Sequence, residues 1–89
     1  MNNKLKKALK AQAHPLNPVI LMGGKGLTEN VIVATDEALM THELIKVKLT
    51  GDAKADRSAI AQTLCTATHA ELVQIVGHIA TLYRKNPVN

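Results

Sequence analysis

Three glycines around one lysine, Gly23-Gly24-Lys25-Gly26, form the sharpest local feature of this sequence. Glycine admits positive φ and lets another backbone approach closely. Thr28 follows as a good helix N-cap, and a helix N-terminus offers unpaired N–H groups and a favourable pole for phosphate. Nucleotide-binding patterns fit poorly. Lys25 is followed by Gly26 and Leu27, where a Walker loop needs Ser or Thr after its lysine. Gly24, Gly26 and Glu29 miss the dinucleotide spacing, and 89 residues leave no room for that fold's second half. A short clamp on the backbone of a nucleic-acid strand fits better. A plain tight turn, or a loop for another ligand, stays open beside it.

Lysine placement is the second feature. Lys46 and Lys48 alternate with Ile45, Val47 and Leu49. On a strand the two ammonium groups stand about 6–7 Å apart, close to the spacing of successive phosphates in an extended strand. This face is expected to be wet and basic, whether it meets phosphate or only keeps a sheet from aggregating. Lys4, Lys6, Lys7 and Lys10 fall on one side of a helical wheel over residues 3–13, and His14 joins them. Leu5, Ala8, Leu9 and Ala13 fall on the other. If that helix and Arg84 face the same way as Lys46 and Lys48, the patch becomes continuous. Tyr83 either packs at the sheet end or stacks on one base.

Other chemistry finds little support. His14, His42, His69 and His78 sit in separate elements without ligand spacing, so zinc is not expected. His14 and His78 are the RNA-facing candidates, while His42 and His69 end helices. Asp36 and Glu37 are adjacent, so a helix turns them apart; Asp52 and Asp56 bracket a helix start, where capping explains them. Cys65 lies in an apolar helical stripe without a fixed histidine partner, which reads as a core position. No enzyme activity, cofactor or small-molecule substrate is expected.

Composition narrows the field further. Aromatic residues are 1% of the chain, which excludes a sheet that stacks several bases on aromatics and an aromatic groove for Pro-rich peptides. A net charge of +4 suits an anionic partner. One cysteine means no internal disulfide and suits a reducing compartment. No apolar run follows the basic start, so neither a secretory signal nor a membrane span is expected. A cytoplasmic monomer is the expectation.

The elements that must position these residues follow from periodicity. A helix over 3–13 leads to a connector bracketed by Pro15 and Pro18. Val19 to Met22 is a continuous apolar run, expected as a strand buried on both faces. After the glycine loop a helix runs from Thr28 to about Thr41, stapled by Leu27 and Ile32. Its inner arc is Val31, Thr35, Ala38, Leu39 and His42; Val33 and Met40 lie opposite, as scattered surface residues or as a small protein–protein interaction face. Residues 43–50 alternate as a strand. A helix from Ala55 to about His69 turns Ile60, Leu64, Cys65 and Ala67 or Thr68 inwards. Leu72–Val76 and Ile79–Arg84 form a hairpin about Gly77-His78, and Asn86 to Asn89 are expected to be loose. The whole is one domain over 1–89: an α/β fold (α+β, two-layer) of order α-β-α-β-α-β-β, a mixed four-stranded sheet with three helices.

Taken in order, these pieces resemble a known family. Leu9-Lys10-Ala11, Ala13-His14-Pro15-Leu16, Pro18-Val19, Gly23 to Gly26 with Leu27-Thr28-Glu29, and His42 to Lys48 look like the bacterial YhbY-type proteins. These are the stand-alone form of the CRM domain, named for chloroplast RNA splicing and ribosome maturation. Val73 to Gly77 and Leu82-Tyr83-Arg84 resemble the family's closing hairpin. The resemblance implies a fold similar to the C-terminal domain of translation initiation factor three. It implies a non-catalytic RNA-binding protein associated with precursors of the large ribosomal subunit, its partner being rRNA. The family's Gly-x-x-Gly loop maps onto Gly23, Gly24, Lys25 and Gly26, and its basic surface onto the first helix's lysines, Lys46, Lys48 and Arg84. His78 stands where the family commonly has lysine.

Overall fold

The computed structural model describes residues 1–87. Helix α1 (Asn3–Ala13), strand β1 (Ile20–Leu21), α2 (Glu29–His42), β2 (Leu44–Lys48), α3 (Lys54–Thr68), β3 (Glu71–Val76) and β4 (Ile79–Tyr83) follow in the expected order. Local chemistry explains the helix starts. The Asn2 side chain accepts from the Leu5 N–H at 2.8 Å, and Thr28 Oγ1 accepts from Val31 N–H at 3.3 Å. α3 starts differently. Its N-cap is Ala53, which makes no side-chain bond, so Asp52 does not cap it and Asp56 lies inside the first turn.

The four strands form one mixed sheet in the order β1-β2-β4-β3. β1 runs parallel to β2, and β4 is antiparallel to both β2 and β3. The β1–α2–β2 crossover therefore joins neighbours, while β2–α3–β3 skips one place. The two-residue turn at Gly77-His78 returns β4 into that vacant slot. Gly77 has φ +60, as the first position of a II′ hairpin turn requires.

α2 and α3 cover one face of the sheet. Leu39, Ile45, Val47, Leu49, Ala61, Leu64 and Leu82 are buried between them and the strands. Each large apolar side chain so placed contributes about 1.5–3 kcal/mol. Leu9, Ala13 and Val73 are buried outside that cluster, because α1 packs across β2 and β3 on the opposite face. The helices thus flank the sheet, and two layers become three where α1 lies. Its apolar arc is too narrow to cover more: Leu5 stays 40% exposed and Ala8 is exposed.

Several boundaries and burials differ from the sequence reading. The run Val19–Met22 is not buried on both faces. β1 is an edge strand of two residues, with Val19 and Leu21 exposed and Met22 in the core. His42 is exposed rather than on the inner arc of α2, and the buried α3 residues are Ala61, Leu64, Cys65 and Thr68. β3 begins at Glu71 and bulges between Leu72 and Gln74, while β4 stops at Tyr83. Asn86 is not loose: its N–H donates to Glu43 Oε2 at 2.7 Å and its Nδ2 to Met40 O at 2.7 Å. The same expectation for residues 88 and 89 lies outside the described residues.

Candidate nucleic-acid interface

Three loops meet at one end of the sheet. The glycine loop leaves β1 directly after Met22, whose N–H donates to Lys48 O at 2.9 Å. The β2–α3 loop follows Lys48, and Leu49 N–H donates to His78 O in the hairpin turn at 2.7 Å. Parallel pairing of β1 with β2 and antiparallel pairing of β2 with β4 bring these three together.

Arg57 holds this end in shape. Its Nε donates to Gly77 O at 2.9 Å, and its Nη1 donates to Gly51 O and Asp52 O, each at 3.1 Å. One side chain thus links the hairpin turn to the β2–α3 loop. Sequence reasoning missed it, because its acceptors are backbone carbonyls and one lies 20 residues away.

The glycine loop is a tight turn closed by Gly26 N–H to Gly23 O at 2.9 Å. Only Gly26 needs to be glycine for conformation, at φ +72. A Cβ on Gly23 or Gly24 would meet nothing within 4 Å. Nothing within the fold requires these two glycines, and they present bare backbone to the outside. Lys25 is exposed at the tip, and Thr28 spends its hydroxyl on capping α2.

The basic sheet face is only partly wet. Lys46 lies half-buried beneath the end of α1, where its Nζ donates to His14 O at 3.4 Å. The negative pole of the helix favours a cation at this point. Lys46, Lys10 and His14 line a cleft of about 230 Å³ with Gln74, Val76, Ile79 and Thr81. Lys48 stands exposed one step further towards the loops. The cleft holds no acidic residue, and among the described residues no lysine forms an ion pair.

Other expected site residues lie elsewhere. Lys6 is half-buried and faces a separate groove of about 830 Å³ beside β3, with Cys65, Thr66, His69 and Glu71. That groove is the larger one but lacks the loops and the clustered cations. Lys4 and Lys7 are exposed on α1. Arg84 does not extend the basic patch. Its Nη1 donates to Asp36 Oδ1 at 2.6 Å and Thr68 O at 2.8 Å, and its Nη2 to Asp36 O at 3.1 Å. It clamps the end of β4 to α2 and α3. Tyr83 is half-buried beside Met1, Leu5 and Glu71. It sits four residues along β4 from Ile79, about 13 Å from the loop end. His78 is exposed in the turn. Val33 and Met40 are 47% and 65% exposed on α2, away from the cleft.

Burial pushes the Cys65 thiol up from 9.0 to about 11, so the group is a neutral core residue at physiological pH. No cluster of three or more His, Cys, Asp or Glu among the described residues is placed to hold a metal. No helix among them is long and apolar enough to cross a membrane.

Comparison with known proteins gives a consistent result. A family model described as the CRS1 / YhbY (CRM) domain matches residues 1–84. A Haemophilus influenzae protein named as an RNA-binding protein is 45% identical over 84 residues, covering 94% of this chain and 85% of its own. A Pseudomonas aeruginosa protein named as a probable RNA-binding protein is 42% identical over 87 residues, covering 98% and 84%. The solution structure of a Staphylococcus aureus protein, described as a candidate RNA-binding protein, superposes with a TM-score of 0.88 at 36% identity. It covers 100% of this chain and 93% of the other.

Proposed function

The chain belongs to the CRS1 / YhbY (CRM) domain family, and from that membership we propose that it is a non-catalytic RNA-binding protein of the cytoplasm that docks on rRNA in precursors of the large ribosomal subunit. The observation that carries this reading is the convergence at one end of the sheet. The bare Gly23-Gly24 backbone, Lys25, Lys48 and His78 share that end, and the acid-free cleft of Lys10, His14 and Lys46 lies directly behind it. Such a surface contacts phosphates and reads RNA shape, with little means of reading base edges. The ammonium groups supply the charge attraction. Backbone N–H groups at the loop and at the start of α2 supply short donors that a phosphate can approach because no Cβ stands in the way.

The test is a salt titration of binding to large-subunit rRNA fragments. Each phosphate neutralised by a lysine contributes about 0.7–0.9 to the slope of log affinity against log salt. Lys25→Ala, Lys46→Ala and Lys48→Ala combined are expected to flatten the slope by about two to three. Absence of binding at low salt, or a slope unchanged in the triple variant, refutes the reading. Crosslinking in cells, followed by sequencing of the attached RNA, identifies the particle that carries it.

A further inference from the structure

The sheet face that carries α1 is only half covered. Beyond the end of α1 one cross-strand row stays largely open: Leu21 on β1, Lys48 on β2 and Val76 on β3 are exposed, and Ile79 on β4 is half-buried. The register puts these four side chains on the same face, since Val47, Ala80 and Ile75 between them point into the core on the other. Four strands make the row about 14 Å wide. Leu21 is 70% exposed and Val76 64%, among the most exposed large apolar residues of the protein. Leu21 belongs to the run whose sequence predicts a strand buried on both faces. Bare aliphatic side chains on both edge strands, with Lys48 and the half-buried Ile79 between them, make an apolar row that carries one cation and has no occupant within the fold.

The surroundings say what that occupant is. Lys48 is within the row, Lys46 and Lys10 line the cleft behind it, and the glycine loop and Gly77-His78 turn border it. On this face the acidic residue Glu71 lies at the opposite end, paired with Tyr83. An apolar surface with one cation within it and two more behind it matches a ligand with an apolar face and an anionic edge. An unpaired nucleotide has that chemistry: base and ribose present flat, weakly polar surfaces, and the phosphate is the anion. A paired nucleotide does not, because its base faces are stacked within the helix.

We propose that the row Leu21–Lys48–Ile79–Val76 is a non-aromatic platform for an unpaired nucleotide of the RNA. This rests on the RNA-binding reading above and names the part of the RNA that this site takes. Leu21, Ile79 and Val76 pack against base and ribose, Lys48 takes the adjoining phosphate, and the glycine-loop backbone meets the next one. The platform takes the place of the aromatic stack that a chain with Tyr83 as its one aromatic, at the far end of β4, cannot build.

The test measures binding of a short single-stranded oligoribonucleotide, and of the same strand annealed to its complement, by fluorescence anisotropy. Leu21→Ser/Val76→Ser is expected to weaken single-strand binding about tenfold with an unchanged salt slope, and duplex binding less than about twofold. Val76→Phe supplies a stacking ring and is expected to tighten single-strand binding about fivefold. Should the serine variant fail to fold, the phenylalanine variant decides. Unchanged single-strand affinity in both, while Lys48→Ala still weakens binding, overturns the platform and leaves the RNA-binding reading standing. So does an equal loss on strand and duplex. A change of oligomeric state in the serine variant assigns the row to protein contact and also overturns it. If neither RNA binds the wild-type protein at low salt, the reading beneath it falls instead.

Discussion

Replacing Arg84 by alanine separates a structural role from an RNA-binding one. The Arg84 side chain is 17% exposed, and its guanidinium makes three bonds: to the Asp36 carboxylate, to Asp36 O and to Thr68 O. The Asp36 side chain is 48% exposed, so water screens the ion pair and it contributes about 0.5–1 kcal/mol. The two carbonyl bonds have a charged donor in a partly buried site and contribute about 1–1.5 kcal/mol each. The expected loss is therefore about 3 kcal/mol, or about 12–24 °C in melting temperature for a domain of this size. Typical domain stability of about 5–15 kcal/mol leaves the variant folded at 25 °C. Urea unfolding followed by circular dichroism measures the loss, and a double-mutant cycle with Asp36→Asn isolates the ion pair. RNA affinity and salt slope, measured below the unfolding transition, are expected to match the wild type. A stability loss below about 1 kcal/mol, or a salt slope reduced by about one, refutes the assignment of Arg84 to the clamp.

Three further outcomes follow from the same geometry. Gly26→Ala is expected to cost about 1–2 kcal/mol, because φ is +72 there, whereas Gly23→Ala and Gly24→Ala leave stability within about 0.5 kcal/mol; thermal melts check all three. If the bare loop meets RNA, those two silent variants weaken RNA binding all the same. Arg57→Ala unlinks the hairpin turn from the β2–α3 loop, so hydrogen exchange at Leu49, whose N–H donates to His78 O, is expected to accelerate more than at Leu82. The raised Cys65 value makes a prediction at high pH. The folded protein holds the thiol proton more tightly than the unfolded chain, so this contribution is intact below pH 9 and is lost as pH rises towards about 11. The loss approaches about 3 kcal/mol, and Cys65→Ala is expected to lose less stability over that range than the wild type in urea titrations.

Much of the fold was legible in the chain. The order of elements, the Thr28 cap, the Gly77-His78 turn and the alternation at Ile45, Val47 and Leu49 are local properties, carried by spacing and capping chemistry. The candidate site was legible only in part. Lys25, Lys48 and the glycine loop are where their sequence neighbours place them. The alternation predicts a wet Lys46, yet it lies half-buried beneath α1. Charge alone assigns Arg84 to the patch, yet it answers to Asp36 and Thr68 on two helices. Arg57, Leu21 and Val76 carried no signal that could be read in isolation.

The sequence by itself determined which residues alternate, where helices begin, where the chain can turn and how positive the surface must be. Tertiary structure decided which of those residues meet water. A period of two assigns a side chain to one face of a strand, but what covers that face depends on elements distant in the chain. The same apolar run that reads as a central strand becomes an edge when β4 takes the inner place beside β2, and Leu21 then faces outwards. The same lysine alternation yields one exposed and one half-buried side chain because α1 ends above Lys46 and not above Lys48. Burial is set by the partner surface, and the partner is chosen only when the whole chain packs.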